Sequence, residues 1–168
     1  PLPPLSDDTT APLKYPYLTH NQTTHHPPPV LLLFTFRQPK GTTMRLKDKV
    51  ALITGANSGI GKAIAARFAA EGAHVGVNYL PGGTRDKDAQ SLVASFPTPS
   101  LALPADVSQR PDVEKMVQAL VAKFGRLDIV INNAGIEIKK PFLEVTDDEW
   151  NKVLNVNLFG SYLVTQVT

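Results

Sequence analysis

Three glycines fall within Thr54-Gly55-Ala56-Asn57-Ser58-Gly59-Ile60-Gly61, directly after the apolar run Val50-Ala51-Leu52-Ile53 and directly before a helical pattern. The chemistry this placement suits is the holding of a pyrophosphate. A chain turning sharply from strand to helix needs backbone angles that glycine alone reaches at little cost, and a phosphate approaches the main chain only where no Cβ intrudes. The first helical turn then presents unpaired N–H groups and the positive end of the helix dipole to the anion. Gly61 sits where helix and strand must approach closely. The spacing is Gly-x-x-x-Gly-x-Gly rather than the better-known Gly-x-Gly-x-x-Gly, and a tight connection with no ligand would use the same residues.

Further polar residues follow three other apolar runs. Asn78-Tyr79 stands where an acid would bind the ribose 2′-hydroxyl of an NAD-type cofactor. The lack of an acid removes a repulsion against a 2′-phosphate, and Arg85 and Lys87 follow closely, which favours NADP over NAD; Ser58 stands where a basic residue would reinforce that choice. Asp106 can accept from an adenine amino group and the Val107 N–H can donate to the ring, although an aspartate before Ser108 also reads as a turn or cap. In Asn132-Asn133-Ala134-Gly135 the amides can bridge strand backbones and a ribose, and the small Ala-Gly pair lets a dinucleotide lie against the chain. Asn157 falls on the inward stripe with Leu154, where a polar side chain needs partners. A satisfied core asparagine is the alternative there.

These residues need a scaffold, and the apolar periods supply one. Residues 49–54 form a continuous apolar strand, as a strand covered on both faces must. Residues 60–71 form a helix with Ile60, Ile64 and Phe68 on one face and Gly72 as its C-terminal cap. A second strand covers 73–79, a second helix 86–95, and a third strand 100–103 after the Pro97-Thr98-Pro99 break. Val113, Met116, Val117, Leu120, Val121 and Phe124 repeat at helical spacing between Pro111 and Gly125, and residues 127–132 make the fourth strand. Thr146-Asp147-Asp148-Glu149 is a capping box with a Val145–Trp150 staple, and its helix runs on through Leu154, Leu158 and Tyr162. This alternation predicts an α/β fold: a doubly wound parallel sheet of Rossmann type, strand order 3-2-1-4, with ligands at the C-terminal strand edges.

The 168 residues suffice for one domain, and 42% hydrophobic content is ordinary for a chain that buries a core. A net charge of +2 makes no electrostatic case for nucleic acid or an acidic membrane. With no cysteine, disulfides and thiolate chemistry are excluded. The longest apolar run before Met44, residues 30–36, is far short of the ~20 residues that cross a bilayer, so a cytoplasmic location is expected. Composition changes at Met44: nine of the fifteen prolines and three of the four histidines precede it, without helical or strand period. Residues 1–43 therefore read as a disordered extension and 44–168 as a dinucleotide-binding domain, with Met44 as the functional initiator. A transit peptide, a natural extension and translated non-coding sequence compete for residues 1–43. Asp7, Asp8 and a lone arginine, Arg37, argue against the first without closing the question of organelle targeting. His25-His26 reads as solvated tail rather than a metal site.

In combination, Thr54-Gly55-Ala56-Asn57-Ser58-Gly59-Ile60-Gly61, Asp106-Val107, Asn132-Asn133-Ala134-Gly135 and Asn157 within Val156-Asn157-Leu158 resemble the short-chain dehydrogenase/reductase family. The resemblance runs from about Lys47 to the last residue. Residues 131–137 and Trp150-Asn151-Lys152 are similar to the branch containing glucose 1-dehydrogenases and 3-oxoacyl carrier-protein reductases. It implies a homo-oligomeric parent enzyme, dimer or tetramer, that transfers hydride between NADP or NAD and a small-molecule alcohol or carbonyl substrate. It implies that Gly55, Gly59 and Gly61 with Asn57, Ser58 and Ile60 bind pyrophosphate and ribose, that Asp106 and Val107 lie at the adenine, and that Asn133 and Ala134 lie at the nicotinamide-side ribose. Asn132 would steady the sheet, and Asn157 would be the catalytic asparagine that kinks its helix and holds a water in a proton relay. The family's chemistry also needs a serine, a tyrosine and a lysine four residues after that tyrosine. Tyr162 lacks that lysine, with Gln166 in its place. The chain is accordingly expected to be a cofactor-binding piece of a longer enzyme, without turnover by itself. A non-catalytic dinucleotide-binding or sensing module is the alternative.

Overall fold

The computed structural model describes residues 44–168, so the readings of residues 1–43, His25-His26 among them, lie outside the described residues. Strand β1 (Val50–Ile53) is apolar on both sides because both of its faces are covered. Val50 and Leu52 enter one core, Ala51 and Ile53 the other, and all four are buried. The first core is closed by α3 (Arg110–Phe124) and α5 (Gly160–Val167), the second by α1 (Gly59–Ala70) and α2 (Arg85–Ala94). With β2 (His74–Tyr79), β3 (Leu101–Pro104) and β4 (Ile129–Ile131), the strands form one parallel sheet in the order β3-β2-β1-β4. That is the 3-2-1-4 order read from the sequence.

Small residues set how closely the layers approach. Helix α1 buries Gly61, Ala65 and Ala69, while Ile60, expected on the apolar face, is 75% exposed. A glycine-alanine row lets the helix backbone lie near the sheet, and the bulkier Ile64 and Phe68 pack only at the core's margin. Gly76 of β2 does the same for α3: a Cβ there would lie 2.8 Å from both Leu103 Cδ1 and Leu120 Cδ1. In α3, Val113, Met116, Val117 and Leu120 are buried as their spacing requires, whereas Val121 faces outward. Gly72 (φ 93°) closes α1, with its own N–H donating to Ala69 O and that of Ala73 to Phe68 O.

The capping box of α4 (Asp147–Leu154) forms as predicted: Glu149 N–H donates to Thr146 Oγ1 at 3.3 Å and Thr146 N–H to Glu149 Oε2 at 3.1 Å. Beyond Leu154 the helix widens into a π turn, Asn155–Phe159, before α5 resumes. A π turn inserts a residue relative to the 3.6 period and rotates the helix beyond it. The inward positions of this stretch are therefore Gly160, Leu163 and Val164. Leu154 and Asn157, expected on one inward stripe, are exposed, as are Leu158 and Tyr162; Leu154 lies before the π turn, in α4, which buries none of its residues. No helix among the described residues is long and apolar enough to cross a membrane.

Candidate functional site

β1 delivers the chain to Thr54, whose side chain knits the ends of β1 and β4 together. Its hydroxyl oxygen accepts from Asn133 N–H and Ala134 N–H, each at 2.9 Å, and its own N–H donates to Ile131 O. Asn133 Nδ2 returns the link, donating to Thr54 O at 2.8 Å and Gly55 O at 3.1 Å. Asn133 therefore performs the sheet-steadying expected of Asn132. Asn132 instead reaches α5, where its Nδ2 donates to Thr165 Oγ1 at 2.9 Å and Ser161 O at 3.4 Å. Thr54 as organiser was missed from the sequence; its one signal is a hydroxyl at the end of an apolar strand.

The glycines around this knot are constrained in different ways. At Gly55 (φ 60°) a Cβ would lie 2.9 Å from Ala134 Cα, and at Gly61 one would lie 2.5 Å from Asn133 Nδ2 and 2.6 Å from Gly55 O. Gly59 (φ 55°) has no atom of the described residues within 4 Å of its Cβ position, so that side of the turn is open among them. Gly55 N–H donates to Asn78 Oδ1 at 3.2 Å and Ala56 N–H to Asn78 O at 2.7 Å. The N–H groups of residues 57–61 donate to no group among the described residues, and Ser58 makes no side-chain cap. A row of unpaired amides at the head of a helix, above a turn where no Cβ fits, suits a pyrophosphate.

The ends of β2 and β3 adjoin this turn. Tyr79 is buried and donates its O–H to Asp86 Oδ1 at 3.0 Å, while Asp86 Oδ2 accepts from Gly82 N–H at 3.2 Å. Burial first, then the Asp86 carboxylate, hold the Tyr79 phenol above its ordinary pKa, so it stays a neutral donor. Arg85 folds back on the loop after β2, donating from Nε to Gly82 O at 3.0 Å and from Nη2 to Pro81 O. Asp106 Oδ1 accepts from Ser108 N–H (2.9 Å) and Ser108 Oγ (2.7 Å), a turn that leads into α3 and leaves Oδ2 without a partner among the described residues. The Val107 side chain is buried against Gly160, where a Cβ would lie 2.9 Å from Val107 Cγ2. Its main-chain N–H is the group left for a ligand.

Asn157, in the π turn, spans to the segment after β4. Its Oδ1 accepts from Ile136 N–H at 2.8 Å and its Nδ2 donates to Ile136 O at 3.0 Å. Gly135 lies beside it, a Cβ there being 3.4 Å from Asn157 Oδ1. Ile136 went unnoticed in the sequence because it acts through its backbone. Tyr162 O–H accepts from Gln166 Nε2 at 2.7 Å, and Gln166 Oε1 accepts from Arg110 at 2.6 Å.

The chain matches the model of the short chain dehydrogenase family over residues 49–168. It is 43% identical over 124 residues to hydroxynaphthalene reductase-like protein Arp2 of Metarhizium acridum, covering 72% of this chain and 45% of that protein. The homologous protein of Metarhizium majus is 40% identical over 128 residues, 74% of this chain and 47% of its own length. Among solved structures, 3-ketoacyl-(acyl-carrier-protein) reductase from Brucella melitensis complexed with NADH superposes with TM-score 0.66 at 39% identity, covering 72% of this chain and 48% of that one. A mutant short-chain dehydrogenase/reductase of Serratia marcescens gives TM-score 0.66 at 34% identity, with 73% and 50% covered. The chain thus spans about half the length of the curated relatives it matches. The knotted ends of β1 and β4, the open amides of residues 57–61 and this match over nearly all the described residues lead to one assignment: the chain belongs to the short chain dehydrogenase family.

Proposed function

We propose that the four strand ends hold NADP or NAD, and that the chain is the cofactor-binding part of an oxidoreductase acting on a small-molecule alcohol or carbonyl compound. The observation that carries this reading is the row of unpaired N–H groups at residues 57–61, above a turn that excludes any Cβ at positions 55 and 61. The amides of Asn57, Ser58, Gly59, Ile60 and Gly61 bind the pyrophosphate and adjoining ribose. Asp106 Oδ2 and Val107 N–H face the adenine. Ala134 and Gly135 let the nicotinamide side lie against the chain, with Asn133 Oδ1 turned to its ribose. When bound, the cofactor supplies the hydride donor or acceptor. Asn157 is read as the residue that kinks its helix and holds a relay water; its side-chain amide is occupied by Ile136 and its main-chain oxygen accepts from Ser161 Oγ at 3.0 Å.

The two-carbonyl hold on Arg85 keeps a guanidinium beside the end of β2, positions 78 and 79 carry no acid, and the nearby Asp86 carboxylate is engaged by Tyr79 O–H and Gly82 N–H. NADPH is therefore the favoured form. A carbonyl substrate agrees with the reductase names borne by the relatives. The parent enzyme is read as a cytoplasmic homo-oligomer with no nucleic-acid or membrane partner. Fluorescence titration of this chain with NADH and NADPH is the test: both should bind, NADPH the tighter, and Arg85→Ala should weaken NADPH alone by about tenfold. Failure of both to bind defeats the proposal.

A further inference from the structure

We propose that Asn78 is the positioning residue of the phosphate-binding turn, acting without contact to the ligand by fixing three strand ends to one another; the inference rests on the dinucleotide reading above. Asn78 is 1% exposed, both hydrogens of its Nδ2 are donated and its Oδ1 accepts from the main chain. Oδ1 accepts from Gly55 N–H at 3.2 Å, Nδ2 donates to Leu103 O and Ala105 O at 3.1 Å each, and its main-chain oxygen accepts from Ala56 N–H at 2.7 Å. The amide has one possible orientation, since the reverse would aim its nitrogen at an N–H and its oxygen at two carbonyls.

This geometry changes what residue 78 is for. By sequence it stands where a ribose 2′-group would be read, yet its side chain is buried and its amide is engaged with the main chain of three strand ends. It withholds the N–H groups of Gly55 and Ala56, so an anion can draw only on residues 57–61. Ala105 directly precedes Asp106, so the same buried amide sets the pyrophosphate turn relative to the adenine wall. Neither of the side chains nearest in size reproduces this set of bonds. Aspartate accepts from Gly55 but cannot donate to two carbonyls, and leucine, of similar size, leaves Gly55 N–H and both carbonyls without partners in the interior.

The test is residue-resolved amide hydrogen exchange of the chain with and without NADH, followed by NADH titration of Asn78→Asp and Asn78→Leu. In the wild type, Gly55 and Ala56 should be protected before NADH is added and unchanged by it, while residues 57–61 should exchange rapidly and slow on saturation. Asn78→Leu should release Gly55 and weaken NADH by about tenfold or more, with Asn78→Asp falling between it and the wild type. The inference is overturned if NADH protects Gly55 and Ala56 instead of residues 57–61, or if folded Asn78→Leu binds NADH as the wild type does. The wild-type exchange pattern and Asn78→Asp decide the matter should the leucine variant not fold. A wild type that binds no NADH at all brings down the cofactor reading itself, and so is told apart from failure of the positioning role.

Discussion

At the scale of single residues, the polar groups of the strand ends divide into those that face the protein and those that face out. Thr54, Asn78 and Asn133 have their side chains bound to neighbouring backbone, whereas residues 57–61 offer main-chain N–H groups outward. Thr54→Val keeps the shape and deprives the N–H groups of Asn133 and Ala134 of their acceptor, so urea denaturation should show a loss of about 2 kcal/mol. Thr54→Ser keeps the oxygen and should lose well under that; equal losses would mean the methyl group matters instead. The glycines make a second contrast. Gly61→Ala would force a Cβ onto Gly55 O and Asn133 and should cost about 1–3 kcal/mol of overpacking. Gly59→Ala meets open space and should cost only about 1–2 kcal/mol for its left-handed backbone, with the larger effect on NADH affinity. The residue types of this site were legible because glycines and asparagines at strand ends have few uses. Which way each amide turns was not, since an asparagine bridges backbones or a ribose with the same atoms. Asn133 accordingly joins β4 to β1, the part expected of Asn132, while Asn132 reaches α5.

At the scale of elements, strands and helices were legible wherever one period ran from cap to cap. Helix α3 lies between Pro111 and Gly125, and α4 opens on its capping box. For the long helix after Thr146 the start was legible but not the face: α4 buries none of its residues, Leu154 included, and beyond it a 3.6-residue period carried across the π turn does not mark the inward row. The same turn presents Asn157 to Ile136, so the break in period and the candidate catalytic position are one feature. The face assignment is checked by truncation. Leu163→Ala, fully buried, should cost about 2–5 kcal/mol, and Leu158→Ala, exposed, less than about 0.5 kcal/mol. Chemical denaturation midpoints at equal slope would read both, and a reversed order would restore the uninterrupted period.

Across the whole molecule, the sheet's two edges are held by different chemistry. At the C-terminal edge, the ends of β1 and β4 are joined by neutral amides and a hydroxyl, while the N-terminal edge is fastened by carboxylates. Asp128 Oδ2 accepts from Val50 N–H at 2.9 Å with Arg126 and Lys49 alongside, and Glu71 accepts from Arg45 N–H at 3.2 Å and pairs with Arg67 and Arg45. Those backbone donors, ahead of the neighbouring cations, hold both carboxyls below their ordinary pKa. A carboxyl whose folded pKa is depressed contributes stability above its unfolded value of about 4 and loses it as pH falls through the folded one. Stability should therefore be flat through neutral pH and decline below about pH 4. Glu71→Gln and Asp128→Asn should each lower the neutral plateau and flatten that acid limb, because the neutral amide has no proton left to take up. Thermal melts from pH 3 to 7 would show it, and an acid limb as steep in the double variant as in the wild type would place the titrating groups elsewhere. NADH affinity measured at pH 7 in these variants should stay close to the wild-type value, since both carboxylates lie at the strand edge opposite residues 54–61 and, among the described residues, bond to Arg45, Arg67, Val50, Arg126 and Lys49.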